Sequence, residues 1–143
     1  MRYFDSGLLL KLYVSEPREK EAEQLFYSSP TPPPFTQLHG LEMRSAVRQK
    51  LGRAEIDLAE SERVLQAFHN DLTAGLFSRP EVSWPDVFLQ AESFSAAHGT
   101  ATLCRSLDTL HVAMASVLGM KEFCTFDARQ ARMASAVGLT VFS

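Results

Sequence analysis

The chain is short of several things that particular protein classes require. It has two cysteines, Cys104 and Cys124. Two widely separated thiols make neither a disulfide framework nor a zinc pattern, so the fold rests on its own core in a reducing compartment. His39, His69 and His98 lack the partner spacing that zinc demands. No apolar run nears the roughly 18 residues that a membrane span needs. The densest patch, Leu8-Leu9-Leu10, is cut by Lys11, and Asp5 stands where a signal peptide would carry apolar residues. A cytoplasmic protein without a membrane segment is the expectation. Positive charge is also lacking, with a net charge of −3 and a pI near 5.8. That argues against sequence-blind binding of nucleic acid over a broad basic face. It leaves open an enzyme that reaches nucleic acid through a metal site, whose carboxylates themselves lower the net charge.

What is present is globular. Hydrophobic residues make up 45% and charged residues 22% of 143 residues, enough for one domain spanning 1–143 that buries roughly two-thirds of its unfolded surface. There is no internal repeat. Ser28 to Pro34 carries prolines at 30, 32, 33 and 34, which read as a stiff connector. Residues 2–4 predict a strand ended by Asp5, with Ser6 as N-cap of a helix through Leu12 and Tyr13. Pro17 predicts a helix start running to about Tyr27. Phe35-Thr36 predicts a second strand, residues 38–51 a helix stopped by Gly52, and residues 56–72 an amphipathic helix. Residues 76–78 read as a weak strand, and Pro85 opens a helix to about His98. Ser106 caps a helix in which Leu107, Leu110, Ala113, Met114, Val117 and Leu118 recur at helical spacing. Residues 122–126 predict a strand, Asp127 the cap of a helix stopped by Gly138, and residues 139–142 a last strand. Alternating strands and helices call for an α/β fold: a mostly parallel sheet of four to five short strands with helices on both faces.

In such a sheet Asp5 and Asp127 both fall at carboxyl strand ends, where ligands bind. Asp108 lies in the first turn of its helix and Glu42 one turn into another. Each has an ordinary reading, as a helix cap, a dipole partner or a solvated face residue. Together they are a candidate site. Four carboxylates gathered at one edge repel each other by several kcal/mol per close contact, so they must share protons or hold hard cations such as Mg²⁺ or Mn²⁺. A hydrated ion there suits phosphodiester hydrolysis.

The set resembles a known family. Tyr3-Phe4-Asp5-Ser6-Gly7-Leu8-Leu9-Leu10, Leu41-Glu42-Met43-Arg44-Ser45-Ala46, Ser106-Leu107-Asp108-Thr109-Leu110-His111 and Phe123-Cys124-Thr125-Phe126-Asp127 resemble, in order, the four acid-bearing motifs of PIN-domain ribonucleases. The similarity is greatest to VapC-type toxins of toxin–antitoxin pairs. The resemblance implies a three-layer PIN-like domain with Mg²⁺ or Mn²⁺ held by Asp5, Glu42, Asp108 and Asp127. It implies that Ser6 bonds around Asp5 and Thr125 around Asp127. It also implies a metal-dependent endoribonuclease acting on single-stranded RNA, a homodimer, and inhibition by a cognate antitoxin. Gly7 departs from the family's usual Ser, Asn or Ala, and Ala128-Arg129-Gln130 lacks the further acid that many members carry; whether one ion binds or two stays open.

Arg44, Arg48 and Arg105 are candidate RNA contacts, each with a surface or salt-bridge alternative. His111, three residues after Asp108, reads as a packed or hydrogen-bonded histidine. Two other classes compete. A phosphotransfer protein of the phosphatase type needs an acid two residues after Asp5, where Gly7 stands, and a receiver needs a late lysine that residues 139–143 lack. A non-catalytic PIN-like module that binds RNA or protein is the other alternative.

Overall fold

The computed structural model describes all of residues 1–143. Three short strands, β1 (Arg2–Phe4), β2 (Glu122–Cys124) and β3 (Thr140–Phe142), form a parallel sheet in the order β1-β2-β3. Phe4 lies opposite Cys124, and Cys124 opposite Phe142. Seven helices surround it: α1 (Ser6–Leu10), α2 (Glu19–Tyr27), α3 (Gln37–Gly52), α4 (Leu58–Ala74), α5 (Trp84–Thr102), α6 (Ser106–Val117) and α7 (Ala128–Ala136). None is long and apolar enough to cross a membrane.

Strand side chains alternate between faces, and the core follows that alternation. Phe4 and Cys124 pack with Leu8, Phe26, Val47 and Phe68 from α1 to α4. Tyr3 and Phe123 point the other way, stacked 5.4 Å apart, and pack with Val87, Met114 and Met133 from α5, α6 and α7. The two buried clusters are the two helix–sheet seams of a three-layer domain.

The sheet is smaller than the expected four to five strands. The segments at Phe35 and Ser78 meet only in an isolated parallel bridge between Pro34 and Ser78. The physical reason is the proline run: Pro32, Pro33 and Pro34 have no N–H to donate, so no ladder can propagate. Phe35 N donates to Ser78 O at 2.8 Å, and Ser78 N to Pro33 O at 2.9 Å. His39, wholly buried in α3, makes the link that a strand would have made. Its Nε2 donates to Phe4 O at 2.9 Å and its Nδ1 accepts from Thr36 N at 3.1 Å. A carbonyl only accepts, which fixes the tautomer. Burial, with the neighbouring His111, holds His39 down at about 3, so it is a neutral structural imidazole.

Helix starts also differ from expectation. Asp5, not Ser6, is the N-cap of α1, its Oδ1 accepting from Leu8 N at 2.7 Å. The α2 helix begins at Glu19, after Arg18 in a left-handed conformation (φ 69°) with its guanidinium over the Phe126 ring. Ser106 is the first residue of α6 and Arg105 its cap position, without a side-chain capping bond.

Candidate active site

All four sequence-predicted acids lie around the carboxyl edge of the sheet. β1 and β2 are hydrogen-bonded neighbours, roughly 4.8 Å apart, and Asp5 and Asp127 follow their ends. Thr125, fully buried, ties the two together. Its hydroxyl donates to Asp5 Oδ2 at 2.6 Å and accepts from Asp127 N at 3.0 Å. Asp5 is nearly buried, and burial pushes its carboxyl above the ordinary carboxylate range. Bonds from Thr125 and the Leu8 amide and the His111 ring oppose that shift, and the Asp108 charge adds to it. Asp127 caps α7, its Oδ1 accepting from Arg129 N and Gln130 N at 2.9 and 2.8 Å.

Glu42 projects from α3 toward the same edge. Its Oε1 accepts from Ser6 Oγ at 2.9 Å and is hydrogen-bonded to His111 Nε2. Burial alone would raise this carboxyl, but the bond and charge of His111 and the bond from Ser6 outweigh it, and Glu42 titrates below the usual range. A carboxylate only accepts, so His111 Nε2 donates to Glu42, while its Nδ1 is hydrogen-bonded to the Tyr3 hydroxyl at 2.7 Å. Ser6 therefore supports Glu42, rather than Asp5 as the resemblance implies.

The carboxylate of Asp108, in the first turn of α6, is bonded only to exposed Arg105 at 3.1 Å, an (i, i+3) surface pair. Buried Gln130 reaches that residue from α7, Nε2 donating to Asp108 O at 3.1 Å; its Oε1 is buried without a partner. The four acids are thus linked in two arms, Tyr3–His111–Glu42–Ser6 and Asp5–Thr125–Asp127–Gln130–Asp108. Sequence reading missed Tyr3 and Gln130. His111 and Thr125 were visible, the first through its spacing from Asp108.

The donors fit a hard divalent ion. They are carboxylate oxygens, the hard donors that Mg²⁺ and Mn²⁺ prefer. No three His, Cys, Asp or Glu side chains stand close enough to form a ready cage.

The candidate RNA-contacting arginines scatter. Arg105 is taken by Asp108. Arg48 is exposed. Arg44 lies two residues from Glu42, about 200° round the helix, and lines a separate cavity. Nearby Lys50 is paired with Glu16 at 2.7 Å.

No known family profile matches the chain, and no curated protein matches it in sequence. Its fold matches a chain in the crystal structure of FitAcB from Neisseria gonorrhoeae, with a TM-score of 0.66 at 17% identity, covering 100% of this chain and 97% of that one. At that identity the likeness is one of fold: a mixed α/β domain shared along its whole length.

Proposed function

We propose that this protein is a metal-dependent endoribonuclease of the PIN type, the toxin of a toxin–antitoxin pair, hydrolysing phosphodiester bonds in single-stranded RNA. One observation carries the reading. Four acids in the family's motif order belong to two hydrogen-bonded arms, and one arm starts from Asp5 and Asp127 just past the carboxyl ends of β1 and β2. Full-length likeness to the FitAcB chain supports the fold.

Asp5, Glu42, Asp108 and Asp127 would hold Mg²⁺ or Mn²⁺, which supplies an activated water and charge neutralisation at the phosphate. The chain's own part is orientation. Thr125 and the Leu8 amide fix both oxygens of Asp5. Ser6 and His111 aim Glu42, and Gln130 anchors the turn that bears Asp108. A partner antitoxin and a homodimer belong to the same proposal. Between α5 and α6 lies a cavity of about 400 Å³ lined by Phe88, Ala91, Cys104, Leu107 and Leu110, with Leu89 exposed nearby, an apolar surface of the kind such contacts use.

The non-catalytic alternative, a PIN-like module that binds RNA or protein, is favoured by the lack of a ready cage. Purified protein incubated with total RNA in Mn²⁺ or Mg²⁺ separates the two. Discrete fragments that vanish with chelator and with Asp108→Asn are expected. Cleavage equal in that variant removes the site assignment. Mn²⁺ binding without cleavage of any RNA selects the module.

A further inference from the structure

A second candidate site lies along the same sheet edge, beyond β1. Residues 35–40 and 79–82 follow the two arms of the Pro34–Ser78 bridge and wall a cavity of about 690 Å³. His39 ties this segment to the carbonyl of Phe4, the residue before Asp5. Two guanidiniums line the cavity, Arg44 from α3 and Arg79 from the loop after Ser78. Neither is among the chain's ion pairs. Most of the other arginines have a partner in the protein: Arg2 on Glu122, Arg18 on Glu21, Arg63 on Glu60, Arg105 on Asp108.

Arg44 is also placed by a specific feature. A Cβ at Gly40 would lie 2.7 Å from its terminal nitrogen. The guanidinium occupies the space a side chain at position 40 would fill, and as the end of a flexible side chain it would shift if one were there. One exposed carboxylate, Glu81, shares the lining, which leaves the cavity with an excess of positive charge. Planar guanidiniums suit phosphate oxygens bidentately, and Phe35, Leu72 and Val82 supply apolar wall for a sugar or base.

We propose that this cavity is a second docking point for single-stranded RNA, taking a backbone phosphate distant from the bond that is cut between Arg44 and Arg79. The proposal rests on RNA being the substrate. Its geometry is simple: α3 carries Glu42 on one face and Arg44 on the opposite one, and a helix is about 10 Å across. A strand crossing the amino-terminal half of α3 reaches both.

The test is anisotropy of an end-labelled short single-stranded oligoribonucleotide in chelator, where nothing is cut, across a salt series. Arg44→Ala and Arg79→Ala should each weaken binding several-fold and lower the slope of log K against log salt by about 0.7 per lost contact. Gly40→Ala keeps every charge and improves helix propensity, yet should weaken binding by displacing the Arg44 guanidinium. Lys121→Ala, at the opposite sheet edge, removes the same charge and should leave the slope in place. Arginine variants that bind like Lys121→Ala overturn the site. So does polyglutamate binding through the same arginines when RNA does not bind. The same preparation is tested for cleavage in Mn²⁺. Cleavage with unchanged binding in the arginine variants removes the docking site and keeps the nuclease. Arginine-dependent binding without any cleavage keeps the docking site and removes the nuclease.

Discussion

Replacing Thr125 with valine removes one hydroxyl at near-constant volume. That hydroxyl makes two bonds at the centre of the site, to Asp5 Oδ2 and from Asp127 N. The first is a short buried bond to a charged group, worth about 1.5–3 kcal/mol; the second, at a partly exposed amide, about 0.5–1 kcal/mol. Thr125→Val should therefore cost about 2–4 kcal/mol, or roughly 4–16 °C in melting temperature for a domain of this size. The loss should depend on pH in a set direction. Asp5 already titrates above the ordinary range because it is buried. Between its unfolded and folded values the native state holds the extra proton, so its contribution to stability falls as pH rises. Losing the Thr125 bond pushes Asp5 further up and extends that window. The deficit of Thr125→Val should thus be larger at pH 8 than at pH 5. Urea titrations of both proteins at the two pH values, in chelator, measure it. A deficit below about 0.5 kcal/mol at both values, or one that shrinks as pH rises, refutes the assignment of Thr125 as the donor that keeps Asp5 charged.

Other outcomes follow from the same contacts. His39, held at about 3, is neutral when folded, while the unfolded chain takes up that proton below about 6.5. Its share of stability is full above 6.5 and is lost toward acid at about 1.4 kcal/mol per pH unit; a ring nitrogen spectrum that still shows the neutral Nε2–H form at pH 5 would check it. His111→Ala leaves Glu42 and the Tyr3 hydroxyl without their partner and should cost about 2–4 kcal/mol by chemical denaturation. Tyr13→Phe removes the 2.6 Å bond to Asp71 that joins the turn after α1 to α4 and should cost about 1–2 kcal/mol without altering RNA cleavage. Mn²⁺ should raise the melting temperature of the parent protein but not of Asp108→Asn, since binding to the native state alone stabilises it.

Much of this arrangement is legible in the sequence, and the misses have local causes. The first strand, the amphipathic helices and the strand before Asp127 show in periodicity and capping residues, because those elements bury one face each. The extra strands expected at residues 35–36 and 76–78 are absent: Phe35 and Phe77 are apolar and buried, as strand residues are, but the prolines before Phe35 cannot donate to a ladder and only an isolated bridge forms. Gly52 reads as the stop of its helix and is the last residue of α3, while the left-handed position after it falls at Ala54 (φ 56°). At the site, acids are conspicuous at strand ends. Gln130 is not, because its meaning comes from a fold-dependent meeting with Asp108 across α6 and α7. Arg79 sits in an irregular loop with no period to mark it.

The pairing of β1 with β2 has a consequence for how the protein comes into being. Tyr3 and Phe123 are register partners, and the Thr125–Asp5 bond spans a separation of 120 residues. A chain emerging from the ribosome carries Asp5 and Glu42 from early on, but Glu42 waits for His111 and Asp5 for Thr125. Contacts this distant in sequence close late and slowly. An aborted product ending before Thr125 holds three of the four acids, Asp5, Glu42 and Asp108, but lacks Asp127, β3 and the hydroxyl that bonds Asp5. The order of synthesis itself leaves the candidate centre unassembled in unfinished copies.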